Sequence, residues 1–195
     1  MMDETRLANA VREILLAIGE DPDRDELRET PSRAAGMYAE LFGGVHIDAG
    51  QFLDDPLPDH HRELIALRDI SVRSMCEHHL VPMSGIAHVA YIPDGSIVGF
   101  DRIVKVIDTL ARRPQVQERL TAEIADVIES RLQTSGVAVM LILEQMCMTI
   151  RGERQTRSRT ITTVYRGLFE TDPSWREEFR MVISQPEESH DIGTS

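Results

Sequence analysis

Residues 86–113, IAHVAYIPDGSIVGFDRIVKVIDTLARR, decide the fold class. Two short apolar runs, 86–92 and 96–100, flank Pro93-Asp94-Gly95. Asp-Gly suits tight turns, so this reads as a β-hairpin. A helix over 103–113 follows. Past Pro114 comes a second helix, with Val116, Leu120, Ile124, Val127, Ile128 and Leu132 on one stripe. Paired strands with two helices in succession between the pairs do not make a βαβ alternation. They predict an α+β domain, an antiparallel sheet with helices on one face.

The flanking sequence agrees. Upstream, Ile70, Val72 and Ser74 alternate with Ser71 and Arg73. Downstream, VAVMLIL at 137–143 has the continuous apolar character of a buried strand. RTITTVYR at 159–166 alternates again. Asp172-Pro173 opens a last helix with Trp175, Phe179 and Val182 inside. At the other end, Leu7, Val11, Ile14, Leu15 and Ile18 recur at helical spacing up to Gly19. Thr30-Pro31 reads as an N-cap followed by the first helical position, and Met37, Tyr38 and Leu41 give that helix its apolar face before Gly43-Gly44. The expected division is an N-terminal helical region over 1–45, the main α+β domain over 46–183 and a disordered tail over 184–195.

Acidic residues (33) outnumber Lys and Arg (21), for a net charge of −12. That opposes general binding to nucleic acid or anionic membranes, which needs a basic surface. Aromatics at 5% leave little for base stacking. No apolar run reaches the roughly 18 residues of a membrane span. MMDETRLANA lacks the basic and apolar regions of a secretory signal. The expectation is a cytoplasmic protein whose two cysteines, Cys76 and Cys147, stay reduced.

The densest chemistry is Ser74-Met75-Cys76-Glu77-His78-His79. A turn with C-x-x-H spacing lets the Cys76 thiolate and the His79 imidazole reach one ion, but alone this is a weak signal. Cys147, just after the buried strand, adds a third donor. Three protein ligands with one position open to water mark catalytic zinc. The other reading is two buried free thiols and a satisfied histidine. Beside a metal, His78 suits proton transfer, since its ordinary pKa is about 6.5. His60 and His61 read as solvated, and His88 as part of the sheet. Arg151, Arg154, Arg157 and Arg159 crowd one segment, while Arg102 and Lys105 open a helix. Such cations bind phosphate through forked contacts, or else form a solvated charged loop. Glu118 is either a surface helix residue or, if buried, an acceptor for the paired donors of a guanine edge.

Six stretches then occur in order: GEDPDRDELRETPSRAA, SMCEHHLVP, HVAYIPDG, ARRPQVQERLT, GVAV and MCMTIRG. With them the chain, over about residues 5–183, resembles the GTP cyclohydrolase I family. The resemblance implies a T-fold, an antiparallel sheet with two helices on one face. It also implies a toroidal homo-oligomer, a decamer, with active sites between subunits. It implies zinc on Cys76, His79 and Cys147, activating a water that attacks C8 of the guanine of GTP. His78 would assist proton transfer, and Glu118 with Gln117 would hold the guanine edge. Arg102, Lys105 and Arg151 would bind the triphosphate. The family products are formate and dihydroneopterin triphosphate, a precursor in pterin and tetrahydrofolate biosynthesis.

Three positions depart from the family pattern. Gln145 stands where a second catalytic histidine is usual, and glutamine carries no proton near pH 7. The usual Ser-Lys-x-x-Arg reads Asp101-Arg102-Ile103-Val104-Lys105, so the cations have swapped and an acid has replaced the serine. The arginine-rich loop 151–159 also differs. Two alternatives follow: a paralogue that stops at the ring-opened formamidopyrimidine nucleotide or acts on another purine nucleotide, and a non-catalytic binding member of the fold.

Overall fold

The computed structural model describes residues 2–152 and 154–185. In chain order these form α1 (Glu4–Ala17), α2 (Thr30–Leu41), a 3-10 turn (Ala49–Leu53), β1 (Leu57–Pro58), β2 (Ile65–Cys76), β3 (Pro82–Ile92) and β4 (Ser96–Ile97). Then come α3 (Phe100–Ala111), β5 (Pro114–Gln115), α4 (Gln117–Leu132), β6 (Gly136–Gln145), α5 (Met146–Thr149), β7 (Thr160–Gly167), α6 (Leu168–Thr171) and α7 (Pro173–Ser184).

Five strands form one sheet in the order β5-β2-β3-β6-β7. All pairings are antiparallel except β2 with β5, where Met75 faces Pro114 and Cys76 faces Gln115 in parallel. Alternation along the strands sends Val72, Ala87, Val89, Val139 and Leu141 to one face. There they meet Ile103, Val106 and Ile107 of α3 and Leu120, Ile124 and Ile128 of α4. Each such side chain contributes about 1.5–3 kcal/mol by leaving water. On the opposite face Ala90, Ile92 and Ala138 pack against Phe169 of α6 and Phe179 of α7. The α+β class, with two helices on one face of an antiparallel sheet, is as the sequence led one to expect.

Three local expectations are corrected. The runs flanking Pro93-Asp94-Gly95 do not pair with each other. Both edges of β3 are already taken by β2 and β6, so β4 pairs instead with β1, Ile97 opposite Leu57. The chain then turns at Gly99, and α3 starts at Phe100. Second, β2 is far longer than its alternating pattern suggested. A bulge between Leu67 and Ile70, with Asp69 at φ 56°, shifts the parity and hides the first half of the strand. Third, Thr30 lies inside α2, whose cap position is Glu29. Asp172 does cap α7, accepting from the Ser174 N–H at 2.9 Å. The tail expected over 184–195 begins one residue early, since Ser184 closes α7, and from residue 186 it lies outside the described residues.

The α1–α2 hairpin is fastened at the end of α3. Gly44 N–H donates to Arg112 O, and Arg112 Nε donates to Glu40 O at 2.8 Å. Arg113 Nε donates to Gly44 O at 3.0 Å. Only glycine fits at this crossing, because a Cβ on Gly44 would lie 2.0 Å from Thr109 O. Among the described residues no helix is long and apolar enough to cross a membrane.

Candidate active site

The parallel contact of β2 with β5 brings the chemistry together. β2 ends at Cys76, and a tight turn follows in which Leu80 N–H donates to Cys76 O and Cys76 N–H to Val81 O. This turn folds His79 back, so that its Nδ1 lies 3.9 Å from Cys76 Sγ. Cys147 enters from α5, which continues directly from β6. One donor atom each from Cys76, His79 and Cys147 lie within 4.8 Å of one another. Two sulfurs and one imidazole nitrogen are a zinc donor set. Ligands at about 2.0–2.3 Å from one ion stand roughly 3.3–3.8 Å apart, close to the observed spacing. Both thiols are free. Burial pushes the Cys147 thiol up, and Cys76 beside it adds to the rise, against a smaller opposing pull from Arg151. A cation between the thiols reverses that balance by favouring the thiolates.

A cavity of about 230 Å³ opens beside this cluster, lined by Cys76, His78, Gln117, Glu118, Gln145 and Cys147 among others. The site residues read from the sequence as metal-binding or catalytic thus meet at one place, except that His79 lies just outside the lining. His78 keeps 64% of its side chain exposed, with Nε2 3.7 Å from Glu77 Oε1. Glu118 sits in the first turn of α4 and is exposed, not buried as its reading as a guanine acceptor required. In a single chain, water still solvates that carboxylate.

The phosphate-binding candidates lie elsewhere. Asp101, Arg102 and Lys105 sit on the first turns of α3 and do not line the cavity. Lys105 Nζ is 2.8 Å from Asp101 Oδ2, and this ammonium holds the Asp101 carboxyl below its usual range. The acid that replaces the expected serine therefore occupies one of the two cations. Arg102 Nη1 donates to Phe52 O at 3.4 Å. Arg151 is exposed just after α5, near enough to Cys147 to favour its thiolate.

Sequence reasoning named Gln117 only as a holder of the guanine edge and missed its part, with Gln115, as a polar support. Gln115 and Gln117 are both buried, 1% and 3% exposed. Their spacing around Val116 was the only hint that they share an inward face. Gln115 accepts from Arg119 Nε at 2.9 Å, and Arg119 also donates to Glu77, tying the turn of Cys76 and His79 to α4. That guanidinium holds the Glu77 carboxyl below its usual range. Gln117 Nε2 donates to Thr160 O at 2.9 Å and to Thr162 Oγ1 at 3.1 Å, while its Oε1 accepts from Gln145 Nε2 at 2.8 Å.

Comparison with known proteins shows the family. A family model described as GTP cyclohydrolase I matches residues 7–184. The GTP cyclohydrolase 1 of Caldanaerobacter subterraneus subsp. tengcongensis is 48% identical over 185 residues, 94% of this chain and 98% of that protein. The protein of the same name from Rhodopirellula baltica is 50% identical over 184 residues, 94% of this chain and 80% of that one. That of Geobacillus sp. (strain WCH70) is 50% identical over 175 residues, 89% and 93% respectively.

Proposed function

The chain belongs to the GTP cyclohydrolase I family and is an enzyme of that family, and from this premise we propose that it opens the imidazole ring of GTP by hydrolysis at C8, with zinc on Cys76, His79 and Cys147. The observation that carries the reading is the meeting of those three donors beside the cavity that Glu118 and Gln145 line. Zinc bound there supplies Lewis acidity and a water whose pKa falls toward about 7. His78, largely exposed beside the donor set, moves protons to and from the reacting nitrogens. Glu118 accepts the paired N–H donors of the guanine edge, on the same wall as Gln117. Arg102, Lys105 and Arg151 take the triphosphate, with Asp101 competing for Lys105.

These cations and the cavity belong together only if a second copy supplies part of the site. About 230 Å³ is less than the roughly 300–1,000 Å³ of usual small-molecule sites. In keeping with the family, we propose a ring-shaped homo-oligomer, a decamer, in the cytoplasm, with a helical region 1–45 and a catalytic domain 46–183 in each chain. Sedimentation is expected to show a species many times the 22.0 kDa chain, and a stable monomer would contradict the shared site.

Gln145 favours a second reading, in which the reaction halts at the ring-opened formamidopyrimidine nucleotide and full closure to dihydroneopterin triphosphate is slow. The deciding experiment is mass spectrometry of the products of purified protein and GTP. A GTP mass that never changes, with zinc bound, would rule out ring opening and point to another purine nucleotide.

Glu118→Ala is expected to weaken GTP binding by about 2–5 kcal/mol once the nucleotide and a neighbouring copy cover this carboxylate, which is exposed in the single chain. Calorimetric titration reads this directly. Unchanged affinity would remove Glu118 from guanine recognition.

A further inference from the structure

We propose that Gln117 is a positioning residue that locks the orientation of the Gln145 amide, so that one N–H of Gln145 stays committed to Gln117 and its carbonyl oxygen is turned away from Gln117, open to accept from a ligand. The inference rests on the nucleotide reading above. It deepens that reading by stating what kind of ligand group position 145 accepts.

Several groups around Gln117 can only accept. Gln117 O is a backbone carbonyl, and Thr121 Oγ1 lies 2.7 Å from it, so the Thr121 hydroxyl donates there. Thr162 Oγ1 is 2.6 Å from Thr121 Oγ1. The Thr121 proton is already committed, so Thr162 donates to Thr121. With its own proton spent, Thr162 Oγ1 can only accept from the Gln117 side-chain atom 3.1 Å away, which must be nitrogen. The carbonyls of Thr160 at 2.9 Å and Leu141 at 3.2 Å demand the same, since an amide oxygen there would face acceptors alone. Gln117 Oε1 is thereby turned toward position 145. The Gln145 atom 2.8 Å from it must be a donor, the NH₂ group.

This closed chain lies in a largely buried place, with Gln117 3% and Thr121 0% exposed. A flip of either amide would set oxygen against oxygen in a poorly solvated site, where unpaired polar groups are costly. Gln145 lines the cavity. Its carbonyl oxygen is the end of the amide not turned toward Gln117, so Gln145 is set to accept from a hydroxyl or N–H of the ligand. Gln117 holds that orientation from behind.

A double-mutant cycle on GTP affinity tests this. Gln117→Leu is expected to weaken GTP binding about tenfold when Gln145 is present and less than about twofold in a Gln145→Ala background. Equal losses in both backgrounds would make Gln117 a merely structural residue and overturn the proposal. Thr162→Val is a milder variant, expected to repeat the pattern at smaller amplitude if Gln117→Leu folds poorly. A readout without nucleotide separates the two readings. In crystals of Gln117→Leu the Gln145 side chain is expected to leave its wild-type position. A Gln145 amide that stays put there overturns the positioning role, whereas a wild-type protein that binds no GTP counts against the nucleotide reading instead.

Discussion

Cys147→Ala is expected to take the zinc content of the purified protein from about one ion per chain to near zero, and ring opening of GTP with it. The donor set makes Cys147 the best place to ask. Cys76 is 6% exposed, at the end of β2 with its backbone bonded into the turn, so its replacement also disturbs the sheet. Cys147 is half-buried in α5, where alanine suits the helix. The variant should therefore fold and assemble like the parent, as circular dichroism and sedimentation can check. Loss of an outer partner of a metal ligand costs roughly 10–100-fold in metal affinity, and loss of a ligand should exceed that. The same geometry fixes a pH sign. Zinc needs thiolates, and the Cys147 pKa lies above its ordinary value in the metal-free chain. Protons therefore compete with the ion, so affinity rises with pH and zinc is shed as pH falls. Full zinc in Cys147→Ala, by metal analysis, would refute the three-ligand assignment.

Gln145→His is expected to raise pterin formation from GTP by up to the 10²–10⁴-fold that a positioned acid–base group supplies, roughly speaking. Ring opening needs an activated water, but cleavage of the formamide and the later closure need protons delivered and removed. Gln145 stands beside Cys147 on the cavity wall and can do neither near neutral pH. Histidine there can still donate a ring N–H to Gln117 Oε1, so the substitution should not orphan that buried oxygen. Wild-type protein should accumulate the formamidopyrimidine nucleotide, with little formate and weak fluorescence of oxidised pterin. Formate and pterin appearing as fast as GTP disappears would show that His78 or a water serves every step. If the variant gains nothing, the block lies at Asp101 and the altered phosphate site.

The longer helices α1, α2, α3, α4 and α7 were legible because each carries one apolar stripe, and β6 because VAVMLIL is apolar throughout, while the four-residue α5 and α6 were too short to show one. What could not be read was pairing. The runs on either side of Asp94-Gly95 look like a hairpin, yet period-two alternation says nothing about which neighbour a strand takes. The bulge at Arg68 and Asp69 changed the parity and disguised half of β2. In the site, Cys76 and His79 were visible from a spacing of three, and Cys147 as the one other cysteine, just after the buried strand. The partners of Gln117 were not, since Leu141, Thr160 and Thr162 reach it only through the register of β6 with β7. The exposure of Glu118 was also hidden, because a first-turn carboxylate looks the same in sequence whether covered or not.

The short parallel contact of β5 with β2 has a thermodynamic meaning. Glu77 N–H donates to Gln115 O at 2.9 Å, so the turn holding Cys76 and His79 is bonded to the two residues that lead into α4. Glu118, in the first turn of that helix, rides on the same piece of backbone. An ion drawing the turn inward and a nucleotide drawing on the carboxylate strain one shared support. Their occupancies are then linked, and linkage is reciprocal: whatever factor zinc applies to nucleotide affinity, nucleotide applies to zinc. If zinc tightens nucleotide binding, bound substrate holds the metal more firmly by the same factor, and if zinc loosens it, metal exchange is easiest with substrate in place.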